Sequence, residues 1–258
     1  MKNFVFFLSF LLMTMSVCAQ ERTVAVCAHR GYWKCGDVPN EENSIASLRM
    51  AQEYGFWGSE FDVHLTVDSV VVVHHDEHKG GLSIHRNTYA RLAEKPLSNG
   101  ETLPTVEDYL DQGMQSPCML VMEFKYQASR ERADVLVDRC VAALRERGLF
   151  TPERVMFISF DLEICKRMAA DYPAFTHQYL SGDKSPDELH ALGINGMDYQ
   201  YMVFHHHPEW VARAHELGMS VNVWTVDSPG EMRRMADLGV DCITTNEPLR
   251  LRDLLQDL

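Results

Sequence analysis

The chain has 258 residues, of which 46% are hydrophobic and 24% charged. That length suits one globular domain, and this balance excludes an intrinsically disordered chain. The net charge of −13 argues against general nucleic-acid binding and against docking on an anionic surface. A phosphate substrate would therefore need local positive charge, which a bound metal ion could supply.

The start of the chain has the pattern of a secretory signal peptide. Lys2 is a positively charged residue near the start, residues 4–13 form an apolar run, and small residues precede Gln20. This pattern predicts a leader at residues 1–19 that is removed from a mature domain at residues 20–258. The apolar run is too short to cross a bilayer, so no transmembrane segment is expected in the mature chain, which would be periplasmic or secreted. A lipoprotein anchor at Cys18 is the alternative.

Short apolar segments alternate with helical patterns along the rest of the chain. Strands are predicted at residues 24–29, 58–63, 119–124, 155–159, 176–180, 193–198, 220–225 and 240–244, and helices at 44–54, 106–111, 129–147, 162–170, 186–192, 208–217, 229–238 and 249–255. Eight β-then-α units in one domain predict an α/β fold, the TIM (β/α)8 barrel. A doubly wound sheet is the structural alternative.

One apolar run, at residues 70–74, falls outside this count. A short turn at residues 67–69 separates it from the second strand, so it predicts a β-hairpin arm that projects from that strand. The arm ends at His74, His75 and Asp76. One of the two imidazoles should point back to the barrel mouth, although both could instead lie on the surface.

Two helix starts and the cysteines add local detail. Ser185 with Glu188 and Ser228 with Glu231 each have the spacing of a capping box. Most of the mature cysteines are expected to be buried as small apolar side chains, but disulfides remain open, since the spacing does not fix a pairing. The six are Cys27, Cys35, Cys118, Cys140, Cys165 and Cys242.

Carboxylates gather on the second and third strands. Strand alternation places Glu60, Asp62 and His64 on one face of the second strand, and Glu123 and Lys125 on one face of the third. Carboxyl ends of barrel strands face the active site, and three carboxylate ligands suit Mg²⁺ or Ca²⁺ better than zinc. A structural carboxylate cluster and an ordinary ion pair are the alternatives.

Other strand ends carry further candidates. His29 at the end of the first strand could act as an acid or base, and the adjacent Arg30 could hold a phosphate. Trp224 could form an apolar wall for a ligand or could pack in the core. The run at residues 205–207 is three histidines, which we interpret as a solvated loop. No motif of a serine hydrolase, a dinucleotide-binding enzyme or a P-loop enzyme occurs.

Taken together, these segments resemble the glycerophosphodiester phosphodiesterase family over nearly the whole mature chain. The motifs, in family order, are His29-Arg30-Gly31, Glu42-Asn43-Ser44, Glu60-Phe61-Asp62-Val63, His75-Asp76, Glu123-Phe124-Lys125, Trp224-Thr225 and Thr245-Asn246-Glu247-Pro248. Each is weak alone, but their order and their places at strand ends make the set specific. Ser44, Ser69 and Asn246 depart from the residues usual in the family, and Ser69 could change the hairpin geometry that aims His75.

The resemblance implies a TIM barrel and one divalent cation, Ca²⁺ or Mg²⁺. It assigns the metal ligands to Glu60, Asp62 and Glu123, acid/base catalysis to His29 and His75, and phosphate contact to Arg30 and Lys125. The expected activity is metal-dependent hydrolysis of a small-molecule glycerophosphodiester to glycerol 3-phosphate and an alcohol. The alternatives are a phospholipase C-like enzyme that acts on lipids and a non-catalytic glycerophosphodiester-binding protein. The segment between Asp76 and Pro104 is short and predicts an open mouth, while the head group and the oligomeric state stay open.

Overall fold

The computed structural model describes residues 23–36 and 41–256; the proposed signal peptide and Cys18 lie outside the described residues. The elements in chain order are β1 (Ala25–Ala28), α1 (Ile45–Glu53), β2 (Gly58–Leu65), β3 (Val71–Val73), β4 (His78–Lys79), β5 (Leu82–Ser83), a 3₁₀ turn (Ile84–Arg86), α2 (Tyr89–Ala93), α3 (Val106–Gly113), β6 (Met119–Phe124), α4 (Arg130–Glu146), β7 (Val155–Ser159), α5 (Leu162–Asp171), β8 (His177–Tyr179), α6 (Pro186–Ala191), β9 (Gly196–Gln200), α7 (Tyr201–His206), α8 (Glu209–Glu216), β10 (Ser220–Trp224), α9 (Pro229–Leu238), β11 (Cys242–Thr245) and α10 (Pro248–Gln256). None of these helices has both the length and the apolar character needed to span a bilayer.

Eight parallel strands close into a barrel. The order is β1, β2, β6, β7, β8, β9, β10 and β11, and β1 pairs with both β2 and β11, so the sheet has no free edge within this ring. The predicted TIM barrel is confirmed, and the doubly wound sheet, which is an open sheet, is not formed. All strand carboxyl ends lie at one mouth of the barrel because the strands are parallel.

Strand alternation divides the apolar residues into two environments. Inside the barrel, small and medium side chains such as Cys27, Val121 and Met156 form one cluster. Outside, larger side chains such as Phe61 and Tyr199 pack between the sheet and the helices. Both faces of each barrel strand are therefore covered, which explains why the strands have nearly continuous apolar sequences.

The predicted hairpin forms, but it does not project into solvent. β3 pairs antiparallel with the end of β2, in a register that places Val63 opposite Val73. All three residues of β3 are buried, because Val72 packs under residues 77–104 and its neighbours Val71 and Val73 pack into the cluster between the sheet and the helices. Ser69 adopts a left-handed conformation with φ of 62° in the turn, which is the position where the family usually has glycine.

The interpretation of residues 205–207 as a solvated loop is wrong. His205 and His206 end helix α7, which begins directly after β9 because the Gln200 side chain accepts a hydrogen bond from the Met202 backbone N–H. The His205 ring contacts the Glu231 carboxylate at 2.6 Å. The short helix has one buried apolar residue, Phe204, so its periodicity in the sequence is weak.

Of the two predicted capping boxes, one is complete. The Ser185 hydroxyl accepts from the Glu188 N–H, and the Glu188 carboxylate accepts from the Ser185 N–H. At α9 the Ser228 hydroxyl accepts from the Glu231 N–H, but the Glu231 side chain turns to His205 instead of the cap. A tertiary contact thus replaces the second half of that local motif.

The six mature cysteines are all free and buried, as the interpretation of small apolar side chains requires. Burial raises the pKa of the Cys118 thiol to about 12 and that of Cys27 well above its usual value. These thiols are therefore protonated at neutral pH and act as packing groups.

Gly31 allows the end of β1 to approach helix α1 closely. Its φ is 79°, and a Cβ there would lie 2.6 Å from the Ser47 carbonyl carbon. We expect Gly31→Ala to lower the free energy of unfolding by about 2–5 kcal/mol through backbone strain and overpacking. Urea denaturation would measure it, with Gly230→Ala as the control because a Cβ added at Gly230 would meet open space. An unchanged midpoint for Gly31→Ala would contradict the prediction.

Candidate active site

Three buried carboxylates converge at the mouth of the barrel. β2 supplies Glu60 and Asp62 from one face, and β6 supplies Glu123, which pairs in register with Asp62. One oxygen from each lies within 4.8 Å of the others, and Glu60 Oε1 is buried without a hydrogen-bond partner. Elsewhere in residues 23–36 and 41–256, no other three His, Cys, Asp or Glu side chains bring ligand atoms so close together. The predicted three-residue cluster thus forms, and an all-oxygen set fits a hard divalent cation.

The pKa values of the three carboxyl groups are shifted by burial and by the repulsion between their negative charges. Burial raises the pKa of Glu60 well above its usual range, and Asp62 and Glu123 raise it further. Burial and Asp62 also raise the pKa of Glu123 to about 8. Burial acts upward on the pKa of Asp62 too, but nearby cations, Lys125 first, and a hydrogen bond from Asn43 outweigh it and hold that pKa well below its usual value. A bound cation would relieve the remaining repulsion.

Lys125 forms an ion pair with two of these carboxylates. Its Nζ lies 2.8 Å from Glu123 Oε1 and 3.1 Å from Asp62 Oδ1. Burial alone would lower the pKa of this ammonium group, but Asp62 and Glu123 raise it above its usual value. Lys125 is therefore charged and belongs to the carboxylate cluster.

Asn43 holds Asp62 from the other side. The Asn43 amide nitrogen donates to Asp62 Oδ2 at 2.7 Å, and its carbonyl oxygen accepts from the Asp62 backbone N–H at 3.1 Å. Asn43 reaches this position with a φ of 56°, in the left-handed region that asparagine tolerates better than most residues. The fixed amide therefore orients one carboxylate of the cluster.

Arg30 lies between the carboxylate cluster and the cleft. Its backbone N–H donates to Glu60 Oε2 at 2.8 Å, and its guanidinium donates to both oxygens of Glu42 at 2.8 Å. Its Nε lies 3.8 Å from Asp62 Oδ2. Glu42 thus orients the guanidinium, and Arg30 is one of the residues that line the cleft.

His29 is held in one tautomer by the segment after β11. Its Nδ1 lies 2.9 Å from the side-chain oxygen of Asn246, whose amide nitrogen donates to Asp227 Oδ2 at 2.9 Å. The Asn246 oxygen also accepts from Trp33 Nε1, so it acts as an acceptor and Nδ1 of His29 carries the proton. Burial, with Arg30 next, lowers the pKa of His29 to about 4, against the Asn246 hydrogen bond. At neutral pH its Nε2 therefore has a free lone pair, 4.0 Å from Glu60.

His75 reaches the same cleft from the loop after β3. Its Nδ1 lies 2.8 Å from Asp76 Oδ1, so this ring also directs its Nε2 away from its partner. His64 supports the loop, because its Nε2 lies 3.1 Å from the His75 carbonyl oxygen. His74 turns toward the His78 carbonyl instead. Of the two adjacent histidines, His75 is therefore the one that lines the cleft.

The cleft has a charged side and an apolar side. Its free volume is about 160 Å³, and its lining residues are His29, Arg30, Glu60, His75, Glu123, Ile158, Phe160, Leu180, Asp198, Trp224, Thr225 and Thr244. Trp224 contacts Phe160 edge to face at 5.6 Å between ring centroids and donates from Nε1 to the Asp198 carbonyl. Trp224 therefore lines the cleft, and residues 77–104 contribute nothing to the lining within the described chain.

Reasoning from the sequence missed the residues that orient others. Asn43, Asn246 and Asp227 hold Asp62 and His29, and the sequence pattern assigns a role to none of them. Asn43 and Asn246 lie within family motifs, and their amide side chains at loop positions are the available signal. Phe160 gives no signal in the sequence, because single aromatic residues after strands are common.

Comparison with known proteins agrees with this geometry. Residues 29–250 match the Glycerophosphoryl diester phosphodiesterase family. The chain is 29% identical over 251 residues to a glycerophosphodiester phosphodiesterase of Caldanaerobacter subterraneus subsp. tengcongensis, covering 90% of this chain and 97% of that one. It is similar to the crystal structure of a glycerophosphodiester phosphodiesterase from Parabacteroides distasonis, with 42% identity and a TM-score of 0.88 over 92% of this chain and 98% of that one.

A third protein shares the fold at lower identity. It is a phosphodiesterase of Oleispira antarctica in complex with the product sn-glycerol-3-phosphate, with 22% identity and a TM-score of 0.76 over 90% of this chain and 96% of that one. The family match spans most of the described barrel, from the histidine after β1 into α10. The chain therefore belongs to the glycerophosphoryl diester phosphodiesterase family.

Proposed function

We propose that this enzyme hydrolyses glycerophosphodiesters to glycerol 3-phosphate and an alcohol, with one divalent cation and two histidines as the acid/base pair. The observation that carries the proposal is that His29 and His75 open onto the same cleft as Glu60 and Glu123. Separate loops deliver the two imidazoles, and each is held through Nδ1, so each presents Nε2. Two oriented proton carriers beside a carboxylate cluster suit a phosphodiester displacement.

Glu60, Asp62 and Glu123 would hold the cation, which we infer to be Ca²⁺ or Mg²⁺ because all the offered ligand atoms are oxygens. When bound, a divalent cation supplies positive charge that offsets the charge of a phosphodiester oxygen. The unpartnered Oε1 of Glu60 and the raised pKa values of Glu60 and Glu123 support this assignment.

The surroundings of the two histidines favour different roles. His29 is neutral and its Nδ1 donates to a neutral amide, so its Nε2 is suited to take a proton from the attacking hydroxyl. His75 is held through Nδ1 by Asp76 and presents Nε2 to the cleft, and we assign to it the transfer of a proton to the leaving alcohol. The attacking hydroxyl belongs to water or to the glycerol moiety of the substrate.

The cationic side chains and the tryptophan complete the binding site. Arg30 is held by Glu42 at the edge of the cleft, where it would contact phosphate oxygens. Lys125 holds the pKa of Asp62 low and adds positive charge beside the carboxylate cluster, where it would help to stabilise a phosphate. Trp224 offers an apolar face for the carbon skeleton of the substrate.

Activity should depend on a divalent cation. Purified mature protein should release glycerol 3-phosphate from glycerophosphocholine, lose that activity in EDTA and regain it with Ca²⁺ or Mg²⁺. Calorimetry should show cation binding to the wild-type protein and not to Asp62→Asn, because removal of one carboxylate charge disrupts the cluster. Asp187→Asn, which removes a surface ion pair with Arg213, is the control and should bind as the wild type does. EDTA-resistant release would refute the metal assignment, and release only from lysophospholipids would favour a lipid substrate.

His29→Ala and His75→Ala should each lower kcat by at least about 100-fold while the fold and cation binding persist, because each removes one proton-transfer group. His206→Ala is the matched control, since this histidine lies at the end of α7 outside the cleft. Steady-state kinetics at saturating metal would measure the effect. Near-normal kcat in both variants would overturn the acid/base assignment.

We also propose that the chain is exported through its amino-terminal leader, as the pattern of residues 1–19 indicates. The protein expressed from the complete sequence in a Gram-negative host should appear in the periplasmic fraction with Gln20 as its first residue. Amino-terminal sequencing and intact mass would test this. An uncleaved chain in the cytoplasm would refute export, and a diacylated Cys18 in the membrane fraction would refute cleavage before Gln20.

A further inference from the structure

A layer of polar side chains crosses the barrel interior beneath the cleft. β8, β9 and β10 contribute Gln178, Asp198 and Asn222, all buried. Each has a polar atom without a hydrogen-bond partner in the described structure, namely Gln178 Oε1, Asp198 Oδ1 and Asn222 Nδ2. Buried polar atoms without partners are costly, and native proteins retain few of them. A ligand or water that completes their hydrogen bonds would explain their retention.

Only one of these three residues lines the cleft. β9 alternates, with Met197 and Tyr199 in the outer apolar cluster, so Asp198 between them points into the barrel. It lies among the lining residues, whereas Gln178 and Asn222 do not. Asp198 therefore presents an unpartnered carboxyl oxygen to the floor of the cleft.

The residues beside Asp198 are mainly apolar. Leu180 and Trp224 line the adjacent wall, on the side of the cleft away from the carboxylate cluster. Burial raises the pKa of Asp198 to about 8, so the group is a neutral carboxylic acid near pH 7. A neutral carboxylic acid can both donate and accept a hydrogen bond, which matches the hydroxyl group of an alcohol.

We propose that Asp198 is a substrate-binding residue that forms a hydrogen bond with a hydroxyl group of the glycerol moiety, at the floor of the cleft. The carbon chain of the glycerol then lies on the apolar wall, while the phosphate faces Arg30 and the two histidines. This inference rests on the proposed function for the identity of the ligand. Asp198 is neither one of the two histidines nor a proposed metal ligand, and under this proposal its side chain selects a polyol over a plain alkyl group.

The test compares two ligands that differ only in their hydroxyl groups. Glycerol 3-phosphate and propyl phosphate have the same carbon chain and the same charge, but propyl phosphate lacks both hydroxyls. Calorimetric affinities of both would be measured, with saturating Ca²⁺ or Mg²⁺, for the wild-type protein, Asp198→Ala and Asp198→Asn. Asn222→Ala is the matched control, because it removes a buried polar group from the same layer without changing the cleft lining.

The wild-type protein should bind glycerol 3-phosphate at least about tenfold more tightly than propyl phosphate, since a buried hydrogen-bonding group discriminates strongly against a ligand that lacks its partner. Asp198→Ala should lose that preference while its affinity for propyl phosphate stays within about threefold. Asp198→Asn, which is also neutral with a donor and an acceptor, should retain most of the preference, as should Asn222→Ala.

Equal wild-type affinities for the two ligands, or a preference that survives in Asp198→Ala, would overturn the proposal and leave Asp198 as a structural partner of the polar layer. Circular dichroism and thermal unfolding confirm that each variant folds, and Asp198→Asn keeps the test available if the alanine variant does not. Turnover of glycerophosphocholine is measured separately. Ligand discrimination without turnover would refute the proposed function, whereas turnover without discrimination would refute the inference.

Discussion

The mutual repulsion of three buried carboxylates is the constraint on which the rest of the site depends. Glu60, Asp62 and Glu123 cannot all be ionised inside a barrel without compensating charge. Lys125 forms ion pairs with two of them, and Asn43 donates a hydrogen bond to Asp62. These partners do not compensate all of the negative charge of the three carboxylates, and the site therefore suits a divalent cation. Arg30 and Asn43, both in left-handed conformations, bring hydrogen-bond donors to the cluster.

Closure of the barrel determines the chemistry of His29. β1 and β11 are neighbours in the sheet, in a register that places Ala28 opposite Thr245. The residues that follow, His29 and Asn246, are therefore side by side at the mouth. The amide accepts from Nδ1 and adds no negative charge, so burial keeps the ring neutral. A carboxylate at this position, as is usual in the family, would favour the protonated ring instead, so Asn246 supports the assignment of His29 as a base.

Polarity is distributed across the cleft in a way that would orient a substrate. The carboxylates, the two histidines and Arg30 lie on one side, where a phosphate and a cation can be stabilised. Leu180 and Trp224 line the other side, with Asp198 on its floor. A ligand with a charged end and a short polyol would place each part on the matching side.

The sequence by itself determined the barrel and the composition of its site. Alternating strands and helices set the fold, and period-two spacing put Glu60 and Asp62 on one face, because both are properties of neighbouring residues. Helix α7, the buried position of the hairpin and the amide that holds His29 depended on the tertiary structure. The hairpin position and the amide result from contacts between segments far apart in the chain, such as Asn246 with His29, and α7 is held in part by the distant contact of His205 with Glu231. Local periodicity has no information about such contacts.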